Sequence, residues 1–259
     1  MTADLGHAAR LVEVHAPAGA IARITIGSGA KRNALTGAGW TAVEHAVREL
    51  GEEGSVRVIL IRGRGETFCA GSDMTEWVEA EQDVVQDSFE RMESAFRAVE
   101  ECPVPVVAEI RGVASGAGCQ LALACDLRFM ADSARIGMPI ARLGILASPS
   151  FAARLVALAG PSTARQLLYT GQLLDARTAV RAGLADQHLP DPDLACYAES
   201  ILRCITCQPR AAIGAAKQAV SKALGPVRAE TRYNDRPAVS SVDFPGALSA
   251  FLGRADPVA

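Results

Sequence analysis

Two short turns made of small residues have the composition needed to stabilise a developing negative charge. One ends at Gly71-Ser72-Asp73 and the other opens at Ser115-Gly116-Ala117-Gly118, and each stands before a predicted helix. Because glycine has no side chain, such turns let a ligand approach the backbone closely. The start of a helix offers free N–H groups and the positive end of its dipole. Two N–H groups that converge on one oxygen would form an oxyanion hole.

Three other interpretations of these patterns are a structural bend, a phosphate-binding loop and a zinc site. Either turn alone is also compatible with a purely structural bend. Neither is a phosphate-binding fingerprint, because no G-x-G-x-x-G follows a strand and no GK[ST] occurs. Cys204-Ile-Thr-Cys207 has a zinc-like spacing, but no second pair and no nearby histidine completes it, so we expect two helical cysteines and no metal. The histidines lie away from both turns and receive no role: His7, His15, His45 and His188.

The two turns are flanked by alternating strands and helices. Thr36 is placed to cap a helix with one apolar face, and Asp73 to cap a second helix over residues 74–100. Strands are predicted from apolar or alternating patterns at 11–15, 21–26, 56–61, 104–110 and 127–130. This alternation predicts an α/β fold built on a sheet.

Helical patterns dominate from Ser150 onward, and only residues 184–189 read as a strand. The tail from residue 226 contains four prolines and predicts short helices separated by breaks, as an appendage or an oligomer contact. We therefore predict a core over residues 1–193 and a C-terminal helical region over residues 194–259. The predicted helices are 151–158, 162–169, 176–182, 194–207 and 210–223.

Composition is that of an ordinary globular chain and excludes several classes of partner. The 259 residues are 49% hydrophobic and 21% charged, with 26 Lys+Arg against 29 Asp+Glu and a net charge of -3. That balance gives no electrostatic reason to expect nucleic acid or a membrane surface as the main partner. No apolar run approaches the ~18 residues of a membrane span, and no signal-peptide pattern opens the sequence. Seven cysteines in a chain of this size indicate reduced thiols and a cytoplasmic location.

Five segments, taken together and in order, resemble the crotonase family, the enoyl-CoA hydratase/isomerase superfamily. They are KRNAL (31–35), FCAGSDM (68–74), PVVAEIRGVASGAGCQLALACDLRFMADSARIGMP (105–139), LYTGQLLDARTAVRAGLADQHLP (168–190) and DFPGALSAFL (243–252). The resemblance extends from about residue 11 to about residue 252. It implies that the α/β core is a spiral of β-β-α units and that the C-terminal helices build homotrimers or homohexamers. It also implies an acyl-CoA thioester substrate, with no cofactor besides the coenzyme A carried by that substrate.

The resemblance assigns the candidate oxyanion hole to two backbone N–H groups, those of Ser72 and Ala117. These would hold the thioester carbonyl and stabilise an enolate. Ala117 stands where the family more often has glycine. Because a backbone N–H requires no particular side chain, we expect the hole to survive this change.

The coenzyme A site implied by the resemblance includes Lys31, Arg32 and the backbone around Cys69 and Ala70. These residues match the positions where the family holds the pyrophosphate and adenine. Arg32 is the better charge candidate, since a guanidinium suits phosphate. A solvated turn is the alternative for both basic residues.

The acid–base residues of the family's hydratases are absent from the matching positions. The two glutamates of those enzymes align with Gln120 and Ile140. Hydration requires one group that takes a proton from water and one that gives a proton to carbon, and neither an amide nor an alkyl side chain does this near pH 7. We therefore do not expect efficient two-glutamate hydration. Gln120 retains an amide that can orient water or a substrate carbonyl, or it is a polar residue lining a cavity without chemistry.

Other polar residues near these segments have both a functional and a structural reading. Ser148 aligns near a nucleophilic aspartate of the family's dehalogenases, but no histidine lies close in sequence to activate it. Arg142 suits a substrate carboxylate, although capping a neighbouring helix is favoured. Glu109 is expected to pair with Arg128, and becomes the best remaining general base if Arg128 points elsewhere. Asp126 is expected to satisfy backbone donors.

Three functions remain open at this point. The first is an enzyme acting on an acyl-CoA through an enolate, with decarboxylation or retro-aldol cleavage as the best-fitting reactions. The second is an acyl-CoA-binding protein that has lost turnover. The third, a scaffold without ligand, leaves the two turns without a purpose.

Overall fold

The computed structural model describes residues 11–18, 20–224 and 237–254, and its centre is a six-stranded sheet. The strand order is β1-β2-β3-β4-β6-β9, with β1 antiparallel to β2 and every other neighbouring pair parallel. The six strands are β1 (Val12–Ala18), β2 (Ile21–Ile26), β3 (Val58–Gly63), β4 (Val106–Ile110), β6 (Leu127–Ala131) and β9 (Gln187–Leu189). A three-stranded sheet lies beside it, formed by β5 (Val113–Ser115), β7 (Arg135–Gly137) and β8 (Leu173–Asp175).

Helices connect and cover these strands, and the α/β class predicted from the sequence is confirmed. They are α1 (Gly37–Glu52), α2 (Gln82–Glu101), α3 (Ala117–Ala124), α4 (Pro149–Thr170), α5 (Ala176–Arg181), α6 (Leu194–Thr206), α7 (Arg210–Ala223) and α8 (Phe244–Arg254). Short 3₁₀ segments occupy Ala30–Asn33, Met74–Trp77 and Pro139–Leu143. Among the described residues, no helix is both long enough and apolar enough to cross a bilayer.

The central strands read as continuous apolar runs because both of their faces are covered. All five residues of β4 and the first four of β3 are buried, which is typical of parallel strands between two layers. Helix α1 begins where Thr36 accepts a hydrogen bond from the N–H of Gly39 (3.1 Å), as an N-cap does. The strands thus form a rigid layer from which the connecting turns project.

Three predicted helices differ in detail from the observed ones. Residues 74–100 were expected to form one helix, but a 3₁₀ turn over Met74–Trp77 precedes α2, and Glu79 between them has a φ of 55°. The predicted helices 151–158 and 162–169 lie in a single element, α4, which is interrupted at Gly160 with a φ of 74°. In both places a residue with positive φ separates two helical segments.

Glu109 does not pair with Arg128, so that expectation was wrong. In the register of β4 and β6, Glu109 stands opposite Phe129 and Arg128 stands opposite Ala108. Because neighbouring residues along a strand point to opposite faces, Glu109 and Arg128 lie on different faces of the sheet. Glu109 instead contacts Arg111 (Nε–Oε1 3.4 Å), while Arg128 binds Asp186 (3.2 Å).

Glu109 lines a separate polar cavity of about 560 Å³ with Arg62, Arg111 and Asp191. None of the residues assigned to the oxyanion or coenzyme A sites lines that cavity. The position of Glu109 therefore does not support a role as a general base at the oxyanion turns.

Asp126 satisfies a backbone donor, as expected, and also binds a lysine of α7. Its Oδ2 accepts hydrogen bonds from the N–H of Val106 (2.7 Å) and from Nζ of Lys217 (2.8 Å). The same ammonium donates to the carbonyls of Val99 (3.3 Å) and Val104 (3.0 Å). Lys217 belongs to α7, a helix that contributes no fully buried residue.

Candidate active site

Ser72 presents its backbone N–H to the candidate site, while its side chain points into the core. Gly71 O accepts from Leu35 N (2.9 Å) and Asp73 N donates to Leu35 O (2.8 Å). Because alternate amides of an extended segment point in opposite directions, the N–H of Ser72 faces away from Leu35. Its hydroxyl accepts from Trp40 Nε1 (3.0 Å) and contacts Met92 Sδ at 2.8 Å.

The two predicted turns are pressed against each other. A Cβ at Gly71, whose φ is 111°, would lie 3.0 Å from Ser115 O and 3.3 Å from Ala117 N. A Cβ at Gly118 would lie 2.1 Å from the carbonyl oxygen of Cys69. Only glycine fits at these two positions. Because neither residue has a side chain, the backbone around Ser72 can lie next to the start of α3.

The amides of Ser72 and Ala117 are both available to a ligand. Ala117 is the first residue of α3, where the helix leaves backbone N–H groups without an intrahelical acceptor. Among the hydrogen bonds of the described residues, neither of these N–H groups donates to a protein acceptor. Both residues are half-buried. The dipole of α3 adds positive potential at the same point, so this corner can accept an anionic oxygen.

The segment Lys31–Asn33 lies directly against the Cys69-Ala70 turn. Ala70 N donates to Arg32 O (2.9 Å), and Cys69 Sγ contacts Asn33 O at 3.2 Å. Lys31, Arg32 and Asn33 all have positive φ values, of 48°, 53° and 59°. The structure therefore places Ala70 directly against Arg32, next to Lys31 in the chain, whereas Cys69 is fully buried.

Asn33 holds this left-handed segment in place, a role that the sequence interpretation missed. Its buried amide donates to Arg64 O (2.9 Å) and Thr67 O (2.6 Å), and its Oδ1 accepts from Gly29 N (2.8 Å). The residue type was a usable signal, because asparagine tolerates the left-handed region better than most residues.

The two basic residues of this segment differ in their availability. Lys31 Nζ donates to Asp73 Oδ2 (2.7 Å) and to Thr75 Oγ1 (3.1 Å). Burial raises the pKa of the Asp73 carboxyl, but the hydrogen bonds from Lys31 and Thr75 outweigh it and the pKa is lowered overall. The exposed guanidinium of Arg32 has no ion pair or hydrogen bond among the described residues. Arg32 is the cation of this segment that remains free to meet a phosphate.

Cys69 contributes backbone geometry and not a reactive thiol. Burial raises the pKa of its thiol to about 12, against a smaller opposing effect from the N–H of Gly71. A thiol with such a pKa is not a nucleophile at neutral pH.

Gln120 is completely buried and its amide is engaged within the protein. Nε2 donates to Phe151 O (3.3 Å) and lies 3.6 Å from Met138 Sδ, while Oε1 accepts from Arg154 Nη1 (3.3 Å). Ile140 is buried two residues beyond Met138, in the 3₁₀ segment. Gln120 and Ile140 thus offer an amide and an alkyl side chain, neither of which exchanges a proton near pH 7.

Ser148 and Arg142 have structural partners. Ser148 Oγ caps α4 by accepting from Phe151 N (3.2 Å), and it also contacts Ser150 Oγ (3.0 Å). Arg142 Nη2 donates to Thr170 O (3.3 Å), the last residue of α4, as the favoured capping interpretation predicted.

Two glutamates of α2 that sequence reasoning overlooked are linked to Gln120 through Arg154, although none of the oxyanion or coenzyme A residues lines the cavity that they occupy. Glu93 and Glu100 both bind the buried guanidinium of Arg154, which in turn contacts Gln120. All three charged residues line a cavity of about 970 Å³ between α2, α4 and α7, together with Ser148 and Phe151. The only hint in the sequence was the single arginine within the apolar stretch FAARLVAL (151–158).

Comparisons with known proteins agree with this fold. The enoyl-CoA hydratase/isomerase family profile matches residues 17–243. The short-chain-enoyl-CoA hydratase of Clostridium acetobutylicum is 30% identical over 207 residues, covering 80% of this chain and 79% of that protein. A probable enoyl-CoA hydratase, echA8 of Mycobacterium leprae, is 30% identical over 239 residues, covering 90% and 92%. The crystal structure of an enoyl-CoA hydratase from Bacillus anthracis superposes with a TM-score of 0.78 at 27% identity, covering 96% of this chain and 98% of that one. The chain belongs to the enoyl-CoA hydratase/isomerase family, within the crotonase superfamily.

Proposed function

We propose that this protein binds an acyl-CoA thioester and stabilises its enolate with the N–H groups of Ser72 and Ala117. The observation that supports the proposal is the close contact between Gly71 and residues 115–117, because Ser72 follows Gly71 and Ala117 opens α3. Among the described residues, neither N–H group has a protein acceptor. Donors fixed before the ligand arrives stabilise developing charge at little reorganisation cost.

A proline at position 117 tests the oxyanion hole directly. Ala117 is the first residue of α3, where proline is well tolerated because its missing N–H is not needed by the helix. We expect Ala117→Pro to weaken acetoacetyl-CoA binding by about 10- to 100-fold, the effect of losing one hydrogen bond to a charged oxygen. Calorimetric titration measures it, and circular dichroism checks that the variant is folded.

Ala117→Gly is the matched control, because it keeps the N–H and removes only a methyl group. We expect its affinity to stay close to that of the unmodified protein. Equal affinities for the proline and glycine variants would contradict the proposed hole. No saturable binding to the folded unmodified protein would remove the acyl-CoA proposal altogether.

For the reaction, we favour decarboxylation or carbon–carbon bond cleavage over two-glutamate hydration. These reactions generate an enolate and ask less of a second acid–base residue. The support is the pair Gln120 and Ile140, neither of which can exchange a proton with water near neutral pH. Crotonyl-CoA hydration and decarboxylation of a malonyl-type thioester should be assayed side by side. A hydration rate equal to that of efficient family hydratases would reject this preference.

A non-catalytic acyl-CoA-binding protein is the second candidate. It is favoured by the complete engagement of the Gln120 amide with Phe151 and Arg154. Saturable binding without turnover across a broad acyl-CoA panel would select this candidate over the first.

We further propose that Arg32 meets the phosphates of coenzyme A and that the protein forms homotrimers or homohexamers. The free guanidinium of Arg32 supports the first point. Helix α7, none of whose residues is fully buried within one chain, supports the second. Sedimentation analysis that finds only single chains would reject the oligomer.

A further inference from the structure

The side chain of Ser72 is anchored in the core, although its backbone N–H belongs to the candidate oxyanion hole. Trp40 Nε1 donates to Ser72 Oγ (3.0 Å), and this hydroxyl donates in turn to Met92 Sδ (2.8 Å). Trp40 lies in α1 and Met92 in α2, and neither residue is more than 1% exposed. The Ser72 hydroxyl therefore joins the turn that carries the N–H to both helices.

The packing around Trp40 fixes its indole ring. Its backbone N–H donates to Thr36 O (3.0 Å) in the first turn of α1. The ring packs edge-to-face against the Phe96 ring of α2, with 5.5 Å between the centroids and 77° between the planes, a geometry that aromatic pairs prefer. If the ring turned away from Ser72, its N–H would lose this hydrogen bond inside the core, and a buried donor without an acceptor costs free energy. The indole is thus a fixed donor.

A second anchor sets the direction in which the Ser72 N–H points. Gly71 O accepts a hydrogen bond from Leu35 N (2.9 Å). The C=O of Gly71 and the N–H of Ser72 belong to one peptide unit, which is trans, so the two groups point in opposite directions. The N–H of Ser72 therefore points away from Leu35. Leu35 and Trp40 flank the Thr36 cap of α1, so both anchors come from the same end of this helix.

The two anchors restrict different movements of the turn. The bond from Leu35 holds the peptide plane that contains the Ser72 N–H. The bond from Trp40 holds the Ser72 side chain, and hence the Cα to which this N–H is linked. Gly71 cannot supply that second restraint, because it has no side chain and is conformationally permissive. Donors of an oxyanion hole act best when they are fixed before the charge develops, so both anchors favour this chemistry.

We propose that Trp40 is a positioning residue for the oxyanion hole: through the Ser72 hydroxyl, it holds the Ser72 N–H where an enolate oxygen requires it. The inference depends on the proposed function, because it assigns Trp40 a role in the proposed hole. Trp40 is 0% exposed, so it offers no surface to a ligand and acts only through Ser72. Loss of this restraint should therefore affect a charged oxygen more than ordinary binding of a thioester.

Ser72→Ala tests the restraint, because it removes the hydroxyl and keeps the backbone N–H. Two ligands are compared: acetoacetyl-CoA, which can ionise to an enolate, and butyryl-CoA, which does not ionise near neutral pH. We expect acetoacetyl-CoA to bind about fivefold more weakly and to show less enolate absorbance at saturation, while the affinity for butyryl-CoA changes by less than about twofold. Trp40→Phe should give the same selective loss. An equal loss for both ligands, or no loss, in Ser72→Ala would overturn the positioning role.

Trp77→Phe is the matched control for Trp40→Phe. Trp77 is also buried, at 4% exposure, but its Nε1 has no hydrogen-bond partner among the described residues. Both substitutions remove the same atoms from a buried ring, and only one of them breaks a hydrogen bond to Ser72. The ratio of the two affinities should change in Trp40→Phe and stay constant in Trp77→Phe. Equal changes in both variants would trace the effect to lost ring volume and reject the proposal.

A double-mutant cycle separates one shared contact from two independent effects. Ser72→Ala and Trp40→Phe break the same hydrogen bond, so the double variant should show the affinity ratio of Ser72→Ala alone. Effects that multiply in the double variant would mean that Trp40 acts by another route, and the positioning role would be rejected. Should Trp40→Phe not fold, Ser72→Ala carries the test.

The hydrogen bond itself is tested without ligand by the indole N–H signals in a nitrogen–proton NMR spectrum. The chain contains two tryptophans, so two such signals are expected, and Trp77→Phe identifies them. Ser72→Ala should shift the Trp40 signal and leave the Trp77 signal in place, and an unmoved Trp40 signal would overturn the inference. If that signal moves but the unmodified protein does not bind acetoacetyl-CoA, the proposed function has failed. Normal binding with an unchanged affinity ratio rejects the positioning role alone.

Discussion

At the scale of single residues, the two neighbouring cations of the coenzyme A surface have different roles. Lys31 is tied to Asp73 and Thr75, whereas the guanidinium of Arg32 is free among the described residues. Both adopt left-handed backbone conformations that Asn33 stabilises from beneath. We therefore expect phosphate recognition to depend on Arg32.

Replacing Arg32 by alanine should weaken acetoacetyl-CoA binding about fivefold, which corresponds to about 1 kcal/mol for an exposed ion pair. The affinity for acetoacetyl-pantetheine, which lacks the nucleotide phosphates, should not change. Titration with the two ligands separates the outcomes. Equal weakening for both ligands would show that Arg32 acts on the fold of the loop and not on phosphate.

Sequence reasoning identified features that depend on neighbouring residues and missed contacts between residues far apart in the chain. The two turns that contain Ser72 and Ala117 could be recognised because small residues before a helix are a local feature, and the family resemblance then assigned the two N–H groups. Arg154 contacts Glu93, 61 positions away, and no local pattern announces such a pair. Glu109 and Arg128 were paired wrongly because the choice depends on strand register, which fixes the face of each side chain.

At the scale of elements, Asp73 joins the Ser72 turn to the short 3₁₀ segment Met74–Trp77. Its carboxylate accepts from Thr75 N (3.1 Å) and from Lys31 Nζ. Asparagine preserves the capping hydrogen bond, since it is as good an N-cap as aspartate, but it removes the charge. The pair with Lys31 can therefore be tested without breaking the turn.

Asp73→Asn should lower the free energy of unfolding by about 0.5 kcal/mol at pH 7, a small value because Lys31 is largely exposed. The folded pKa of Asp73 is lowered, so its contribution is present above about pH 4 and is lost as the pH falls through the folded pKa. Urea unfolding between pH 7 and pH 3 measures the gap between the two proteins. A gap that stays constant over this range would contradict the assignment.

Helices and strands were predictable where apolar spacing decides the structure, and less so where aromatic packing does. The expected helix over residues 74–100 is divided, and Trp77 lies before the break. Its ring stacks on Phe89 of α2, with 5.4 Å between the ring centroids, and lies 6.0 Å from the ring of Phe244 in α8. Phe244 lies more than 160 positions away, so its effect on the chain at Trp77 has no signal in the local sequence. The division between residues 1–193 and 194–259 stays a prediction.

At the scale of the whole molecule, the cysteines fall into two groups that report on the integrity of the core. All are free thiols. Burial raises the pKa of Cys69, Cys119 and Cys125 to about 12 and also raises that of Cys102. The exposed group lies on or just after α6: Cys196, Cys204 and Cys207.

We therefore expect three thiols to react with Ellman's reagent in the folded protein at pH 8 and all seven in denaturant. The three exposed cysteines replaced by serine should give a folded protein that does not react. Rapid reaction of a fourth thiol in the native state would contradict the described packing around the oxyanion turns.

The attachment of α7 has a consequence for the outer wall of the 970 Å³ cavity, which this helix forms in part. Three acceptors, two carbonyls and the Asp126 carboxylate, surround the ammonium of Lys217, one for each of its hydrogens. Acylation of this single amine would abolish its charge and leave it too few hydrogens to satisfy them. We expect α7 to detach from the rest of the chain in the acylated protein. Faster protease cleavage between α6 and α7 would measure this detachment.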